Sequence, residues 1–218
     1  MSVALVTVVS GERYEAFAKD MFASAFEFFG PDPVVAHIAL PGRPGWPDAT
    51  LYRYHVLMEN EHVFHGFDYT YLIDADMRFE APVGPEILDV LVATQHPGFV
   101  TRPASSLPYE RNPASRAYVP PGAGKRYYAG GFVGGMSAAF FNFAMVMRDC
   151  IEYDDEDGVV AEWHDESHLN SILDCGPPSL VLSPSYCMPN DASGYPWLKG
   201  IERKIVALDK TPAERGKR

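Results

Sequence analysis

The chain opens on an apolar run, Ser2 to Val9, and then changes period. Tyr14, Phe17, Ala18, Met21, Ala25 and Phe28 recur three or four residues apart, the one-sided spacing of a helix, until Gly30-Pro31 stops it. Val34 to Leu40 reads as a second strand. Pro41, Gly42, Pro44, Gly45 and Pro47 make a rigid connector, Leu51 to His65 reads as a second helix, and Tyr69 to Asp74 reads as a buried strand. This β-α-β-α-β order predicts an α/β domain with a parallel sheet and helices on both faces. Such sheets bind ligands at the carboxyl ends of their strands.

Farther along, Pro85 to Ala93 is expected to be helical, and Thr101 to Gly124 is loop-rich, with five prolines. Arg126 to Phe132 is expected as a strand, Ser137 to Ile151 and Asp165 to Asp174 as helices, and Leu180 to Leu182 as a short strand. No internal repeat breaks this order. At 218 residues the pattern suits one domain over 1–218, ending in a flexible basic tail over 209–218.

A net charge of −11 argues against a nucleic-acid partner, because binders of the phosphate backbone display a basic face. The acid run Glu152, Asp154, Asp155, Glu156 and Asp157 lacks the alternation and glycine of a calcium loop, so it is expected as a solvated loop between helices. Cys150, Cys175 and Cys187 are an odd number; they predict no disulfide framework, a reducing compartment and roles as small core hydrophobes. The first apolar run is too short to span a bilayer and has no cationic lead. A cytoplasmic protein without a membrane span is therefore expected.

Two segments carry candidate chemistry. Tyr71-Leu72-Ile73-Asp74-Ala75-Asp76-Met77 sets two carboxylates two residues apart after an apolar run; on a strand such positions share a face, where they could converge on one hard cation. Trp163-His164-Asp165-Glu166-Ser167-His168-Leu169-Asn170 sets an acid pair at the start of an expected helix, where helix capping alone could also account for it. His164 and His168 have the spacing of a zinc protease, but that motif needs Glu directly after the first His, where Asp165 stands. Gly124-Lys125-Arg126 resembles the end of a phosphate loop. Val119 stands where its first glycine belongs, and no Ser or Thr follows Lys125, so a P-loop is rejected.

Read with Tyr127-Tyr128-Ala129-Gly130-Gly131-Phe132-Val133-Gly134-Gly135 between them, these segments resemble glycosyltransferase family six, which contains the ABO blood-group transferases and the α-1,3-galactosyltransferase. His96-Pro97-Gly98-Phe99, Tyr109-Glu110-Arg111 and Leu182-Ser183-Pro184 fit the same order, so the resemblance covers most of the chain. It implies a single-domain GT-A-type fold, a Rossmann-like, mostly parallel sheet flanked by helices. It also implies a manganese ion, or magnesium, held with the diphosphate by Asp74 and Asp76, and Glu166 at the anomeric carbon as nucleophile or electrostatic stabiliser. The donor-binding positions it implies are Tyr14 at the uridine, Arg53, Asp74, Ala129, Gly130 and Gly131 at the sugar, His164, Asp165, and Lys210 and Arg215 in the tail. His96 and Trp163 match acceptor positions. Val9 replaces an aromatic expected near the uracil, and Pro108 and Pro189 replace polar acceptor contacts. Animal members carry a membrane anchor and stem, and neither is expected here.

The function so implied is a metal-dependent, retaining transfer of N-acetylgalactosamine or galactose from a UDP-sugar to a glycan hydroxyl, forming an α-1,3 linkage. A UDP-sugar hydrolase or a transferase using a glucose-type donor shares the same residues. A non-catalytic nucleotide-sugar-binding module is a third reading, and a carboxylate at the anomeric centre speaks against it.

Overall fold

The computed structural model describes residues 1–29 and 34–209. Strand β1 (Ser2–Val9) leads into helix α1 (Glu12–Phe28) and strand β2 (Val34–Pro41). Two short helices, α2 (Asp48–Leu51) and α3 (Arg53–Glu59), then precede strand β3 (Tyr69–Ile73). The expected single helix from Leu51 to His65 is thus broken at Tyr52, and its end is a separate 3-10 turn, Glu61–Phe64. β2 and β3 both pair with β1 in parallel. The first half is therefore the doubly wound unit that the hydrophobic periods predict.

After β3 the chain forms β4 (Met77–Phe79), β5 (Leu91–Gln95), β6 (Tyr128–Met136), α4 (Ser137–Glu156), α5 (Asp165–Cys175), β7 (Leu180–Leu182), β8 (Met188–Pro189) and β9 (Ile205–Ala207). The six-stranded sheet has the order β2-β1-β3-β6-β5-β7, with β6 antiparallel to both neighbours. It is a mostly parallel sheet covered on both faces. Ala4, Val6 and Leu72 pack with residues of α3, α4 and α5, whereas Val3, Leu5, Tyr71 and Ile73 pack with Met21 and Ala25 of α1. Each Val, Leu, Ile or Met side chain among these contributes about 1.5–3 kcal/mol on removal from water, and a strand buried on two faces uses every position.

Three expectations are corrected here. Pro85 to Ala93 is not a helix: Pro85–Ile87 is a 3-10 turn and strand β5 begins at Leu91. Val92 and Ala93 are fully buried between strands β6 and β7, so sheet pairing overrides local preference. The acid run forms the last turns and C-cap of α4 rather than a loop; Glu152, Asp155, Glu156 and Asp157 are exposed as expected, but Asp154 is 2% exposed, accepting hydrogen bonds from the Ser115 hydroxyl and the Arg116 N–H. The cysteines are free, but only Cys187 is buried; Cys150 is half-buried and Cys175 exposed.

A small second sheet, β4-β9-β8, was not anticipated, because two- and three-residue strands carry no periodic signal. It brings the C-terminal segment beside β4, and Leu208 N–H donates to the Asp76 carbonyl at 2.9 Å. Lys210 and Arg215 lie outside the described residues. Among those residues, no helix is long and apolar enough to cross a membrane.

Gly134 faces Tyr71 where β6 crosses β3, and a β-carbon there would lie 2.4 Å from the Thr70 carbonyl and 2.7 Å from Tyr71 Cα. Backbone cannot yield as a side chain can. Gly134→Ala is expected to cost about 1–3 kcal/mol of folding stability by overpacking, read from denaturant unfolding.

Candidate active site

The strand order β2-β1-β3 places a topological switch point between β1 and β3, where successive crossovers leave in opposite directions. The carboxyl ends of these two strands open onto a cleft of two cavities, of about 110 and 430 Å³, that share Trp46, Thr50, Arg53 and Asp74. The smaller is lined by Val8 and Ser10 from the β1 end, Tyr14 from α1, and Asp74, Ala75 and Asp76 after β3. The larger adds Gly130, Gly131 and the segment from Glu162 to Glu166.

Asp74 and Asp76 do converge on one cavity, though not by strand alternation. β3 ends at Ile73, and the two acids flank a tight turn in which Met77 N–H donates to the Asp74 carbonyl at 3.2 Å. The turn exists because β4 must leave toward the small sheet. Asp76 is buried, whereas the Asp74 side chain is 41% exposed.

Arg53, at the first residue of α3, is buried and joins three parts of the site. Its Nη1 lies 2.6 Å from Asp74 Oδ1, and its Nη2 lies 3.0 Å from the Gly130 carbonyl and 2.5 Å from Asp165 Oδ2. The contact with Asp165 is close but poorly aligned, so Oδ2 keeps no hydrogen bond of its own on the cavity wall. Burial alone would lower the Arg53 pKa; Asp165 and Asp74 outweigh it and hold the guanidinium charged.

The Gly130 contacts depend on a bulge in β6. Along β5, Ala93 pairs with Val133 and the next residue, Thr94, with Ala129, so the residues between are displaced from that ladder. The displaced backbone turns its polar groups to other partners: Gly130 N–H donates to Glu166 Oε2 at 2.9 Å, and Gly131 carbonyl accepts from Asp74 N–H at 3.0 Å. A β-carbon on Gly130 would lie 2.6 Å from Arg53 Nη2, so this position has no room for a side chain. One on Gly131 would meet Met77 Cε at 2.9 Å, Cys187 Sγ at 3.3 Å and Asp74 Oδ2 at 3.4 Å.

Glu166 does not cap its own helix. Its carboxylate crosses to β6, which removes capping as the account of this residue. The preceding His164 has φ 51° and ψ −127°, near the first central position of a type II′ turn, a conformation that favours glycine. Glu166 N–H closes that turn on the Trp163 carbonyl at 3.0 Å, and the His164 ring meets Trp46 edge-on at 4.7 Å. Strain of about 1–3 kcal/mol at such a residue persists only where the surroundings enforce it.

Burial raises Glu166 to about 7; Asp165 adds to the effect, and Gly130 N–H and Arg53 oppose it. Burial likewise raises Asp165 to about 6 against the pull of Arg53. Tyr127 sits beside Glu166 with its hydroxyl buried outside strict hydrogen-bonding geometry, and burial pushes that phenol upward.

Arg53, Asp74, Gly130, Gly131, Trp163, His164, Asp165 and Glu166 line the larger cavity, and Tyr14 and Asp76 line the smaller. Ala129 sits instead in the core with Phe132 and Cys187. His96 follows β5 and does not line the cleft; its Nδ1 accepts from Gly98 N–H at 3.0 Å, its ring packs on Phe99 and Tyr127, and burial lowers it to about 4. Val9 is buried against Ala18 and Ala75. Sequence reasoning gave no site role to Trp46, Thr50 or Tyr127. Trp46 carried a usable signal, a large aromatic inside a proline- and glycine-rich connector.

A mostly parallel sheet with paired acids at its carboxyl edge and an arginine-bound acid cluster beside them is the GT-A-type architecture of the glycosyltransferases. Residues 30–211 match the model of glycosyltransferase family 6, and the chain belongs to that family. The histo-blood group ABO system transferase 1 of Rattus norvegicus is 39% identical over 153 residues, 69% of this chain and 44% of that protein. The globoside alpha-1,3-N-acetylgalactosaminyltransferase 1 of Homo sapiens is 31% identical over 230 residues, 94% of this chain and 66% of its own. The glycosyltransferase 6 domain-containing protein 1 of Mus musculus is 34% identical over 143 residues, 65% of this chain and 45% of its own. The chain thus spans about half to two thirds of the length of these relatives.

Two outcomes follow from this geometry. Gly130→Ala displaces the Arg53 guanidinium and is expected to lower folding stability by about 1–3 kcal/mol, read from denaturant unfolding. Glu166→Gln keeps an oxygen for Gly130 N–H but removes a raised acid. Such an acid binds its proton more tightly folded than unfolded, so its stabilisation is complete below pH about 4.5 and is lost as pH rises through about 7. At pH 8 the Gln variant is expected to unfold at higher denaturant, gaining on the order of 1–3 kcal/mol, with a smaller gain at pH 5.

Proposed function

We propose that this chain is a retaining glycosyltransferase that moves N-acetylgalactosamine or galactose from a UDP-sugar to a glycan hydroxyl, forming an α-1,3 linkage, and that residues 1–218 act as one catalytic domain. One observation carries this reading. Glu166, held by Gly130 N–H, opens onto the same cavity as Asp74, and Arg53 ties that acid to Asp165. Retention calls for a carboxylate on the anomeric face opposite the leaving group, and a separate acid pair suits a cation at the leaving diphosphate.

The residues fit a hard divalent ion that shares its shell with substrate. Asp74 and Asp76 supply oxygen ligands at one cavity, and no group of three or more metal-binding side chains occurs among the described residues. Two carboxylates completed by phosphate oxygens and water suit magnesium or manganese rather than a closed protein cage. When bound, such an ion supplies Lewis-acid neutralisation of the diphosphate charge.

The chain's own residues account for the rest. Tyr14 lines the smaller cavity, next to the β1 end, and supports the uridine. Asp165, held by Arg53 on the cavity wall, accepts from a donor-sugar hydroxyl, and the His164 and Trp163 rings border the sugar and the acceptor. Glu166 acts ionised, as nucleophile or as the charge facing an oxocarbenium-like state. Leu208 N–H donates to the Asp76 carbonyl, which brings the end of the described chain to the acid pair and supports a role at the diphosphate for the cations that follow in sequence, Lys210 and Arg215.

The test is product analysis with the four UDP-hexoses and UDP-N-acetylhexosamines, with and without glycan acceptors. Glycan product is expected with N-acetylgalactosamine or galactose; release of free sugar alone would identify a hydrolase. Chelation, Asp74→Asn or Asp76→Asn is expected to lower turnover by about a hundredfold or more, the scale of several kcal/mol of lost charge stabilisation. Full turnover in chelator would overturn metal dependence. The kcat/KM profile is expected to fall on the acid side of about 7, where Glu166 takes up its proton.

A further inference from the structure

Glu110 is a carboxylate 6% exposed in the loop between β5 and β6, and it sits outside the cleft. Its two oxygens have separate backbone partners. Oε1 accepts from Asn112 N–H at 2.7 Å and Oε2 accepts from Glu162 N–H at 2.6 Å. The first bond braces the acid against its own loop. The second grips the chain immediately before Trp163 and His164, 52 residues away in sequence. Both are short, charge-assisted bonds of the stronger kind.

That grip falls on the turn that presents Glu166. His164 holds φ 51° there without being glycine. Beyond it Arg53 holds Asp165 and Gly130 N–H holds Glu166, and the His164 ring meets Trp46. On the approach to the turn, Trp163 N–H donates to the Ser167 hydroxyl at 3.0 Å, and His164 N–H to the Ala161 carbonyl at 3.0 Å. Both of these partners belong to the same local segment. Glu110 is a brace from elsewhere in the fold, and a strained conformation needs such a restraint to persist.

We propose that Glu110 is a positioning residue, which clamps the chain at Glu162 and thereby holds the strained His164 turn that places Glu166 at the sugar. The catalytic part of this inference rests on the glycosyltransferase reading; the mechanical part does not. Without the clamp the turn relaxes toward ordinary backbone angles, and Glu166 loses its register with Gly130. The nucleotide side of the cleft, built from β1, α1 and the Asp74 turn, is untouched.

The experiment is a double-variant cycle on the full chain, using Glu110→Gln, His164→Gly and both together. Glu110→Gln sets an amide NH2 against one of the two backbone donors. It is expected to lower kcat for UDP-sugar turnover by about tenfold to a hundredfold, while the Kd for UDP by calorimetry stays within about twofold. His164→Gly in the wild-type background is expected to raise Tm by about 2–4 °C through relief of strain, and this gain should vanish in the Glu110→Gln background, where the turn has already relaxed. Equal gains in the two backgrounds, or kcat per folded molecule unchanged in Glu110→Gln, would overturn the proposal. Should Glu110→Gln not fold, Glu110→Asp, which keeps the charge but shortens its reach, carries the same expectations. If the wild type turns over no UDP-sugar, the functional reading fails, and the Tm cycle still decides whether Glu110 holds the turn.

Discussion

The site depends on one buried cation. Arg53 reaches Asp74 after β3, the Gly130 carbonyl in β6 and Asp165 at the head of α5, so a single guanidinium joins three elements distant in sequence. A buried charge is tolerated only when its partners are in place, and removing one leaves the others uncompensated, at a cost of about 3–5 kcal/mol. Arginine suits this position because its fork offers several donors in fixed directions, which a lysine could not address at once.

Around that cation, the sheet departs from regularity where it meets the cleft. The displaced residues of β6 free the Gly130 N–H and carbonyl from the β5 ladder and turn them toward Glu166 and Arg53. The contact with Arg53 needs a residue without a side chain, since a β-carbon would collide with the guanidinium. The same backbone irregularity therefore positions the carboxylate and anchors the cation. A regular strand would have used these polar groups in pairing and left Glu166 without a fixed donor.

The site also holds free energy against the fold. Asp165 and Glu166 are both raised by burial, and His164 carries a backbone conformation better suited to glycine. These costs are offset by a core packed on both sheet faces, and they keep an ionisable carboxylate poised near neutrality within a recessed cleft.

The doubly wound first half was legible in the sequence because hydrophobic period is a local property: the apolar run of β1, the helical spacing of α1 and the buried β3 all follow from neighbours along the chain. The Asp74–Asp76 pair and the octapeptide at Glu166 were legible as chemistry for the same reason. What only the tertiary structure decided is how these pieces meet. Strand β5 was hidden because Val92 and Ala93 become strand only between two partners, and β4, β8 and β9 are too short to show a period. The acid run was misread because nothing local marks Asp154 as the residue that turns inward to Ser115 and Arg116. Trp46, Tyr127 and Glu110 gain their places from elements far away in the chain, and so does the donor that holds Glu166. Sequence pattern reports which face of an element seeks burial. Hydrogen bonds and ion pairs across elements depend on ångström-scale register, which only the packed fold sets.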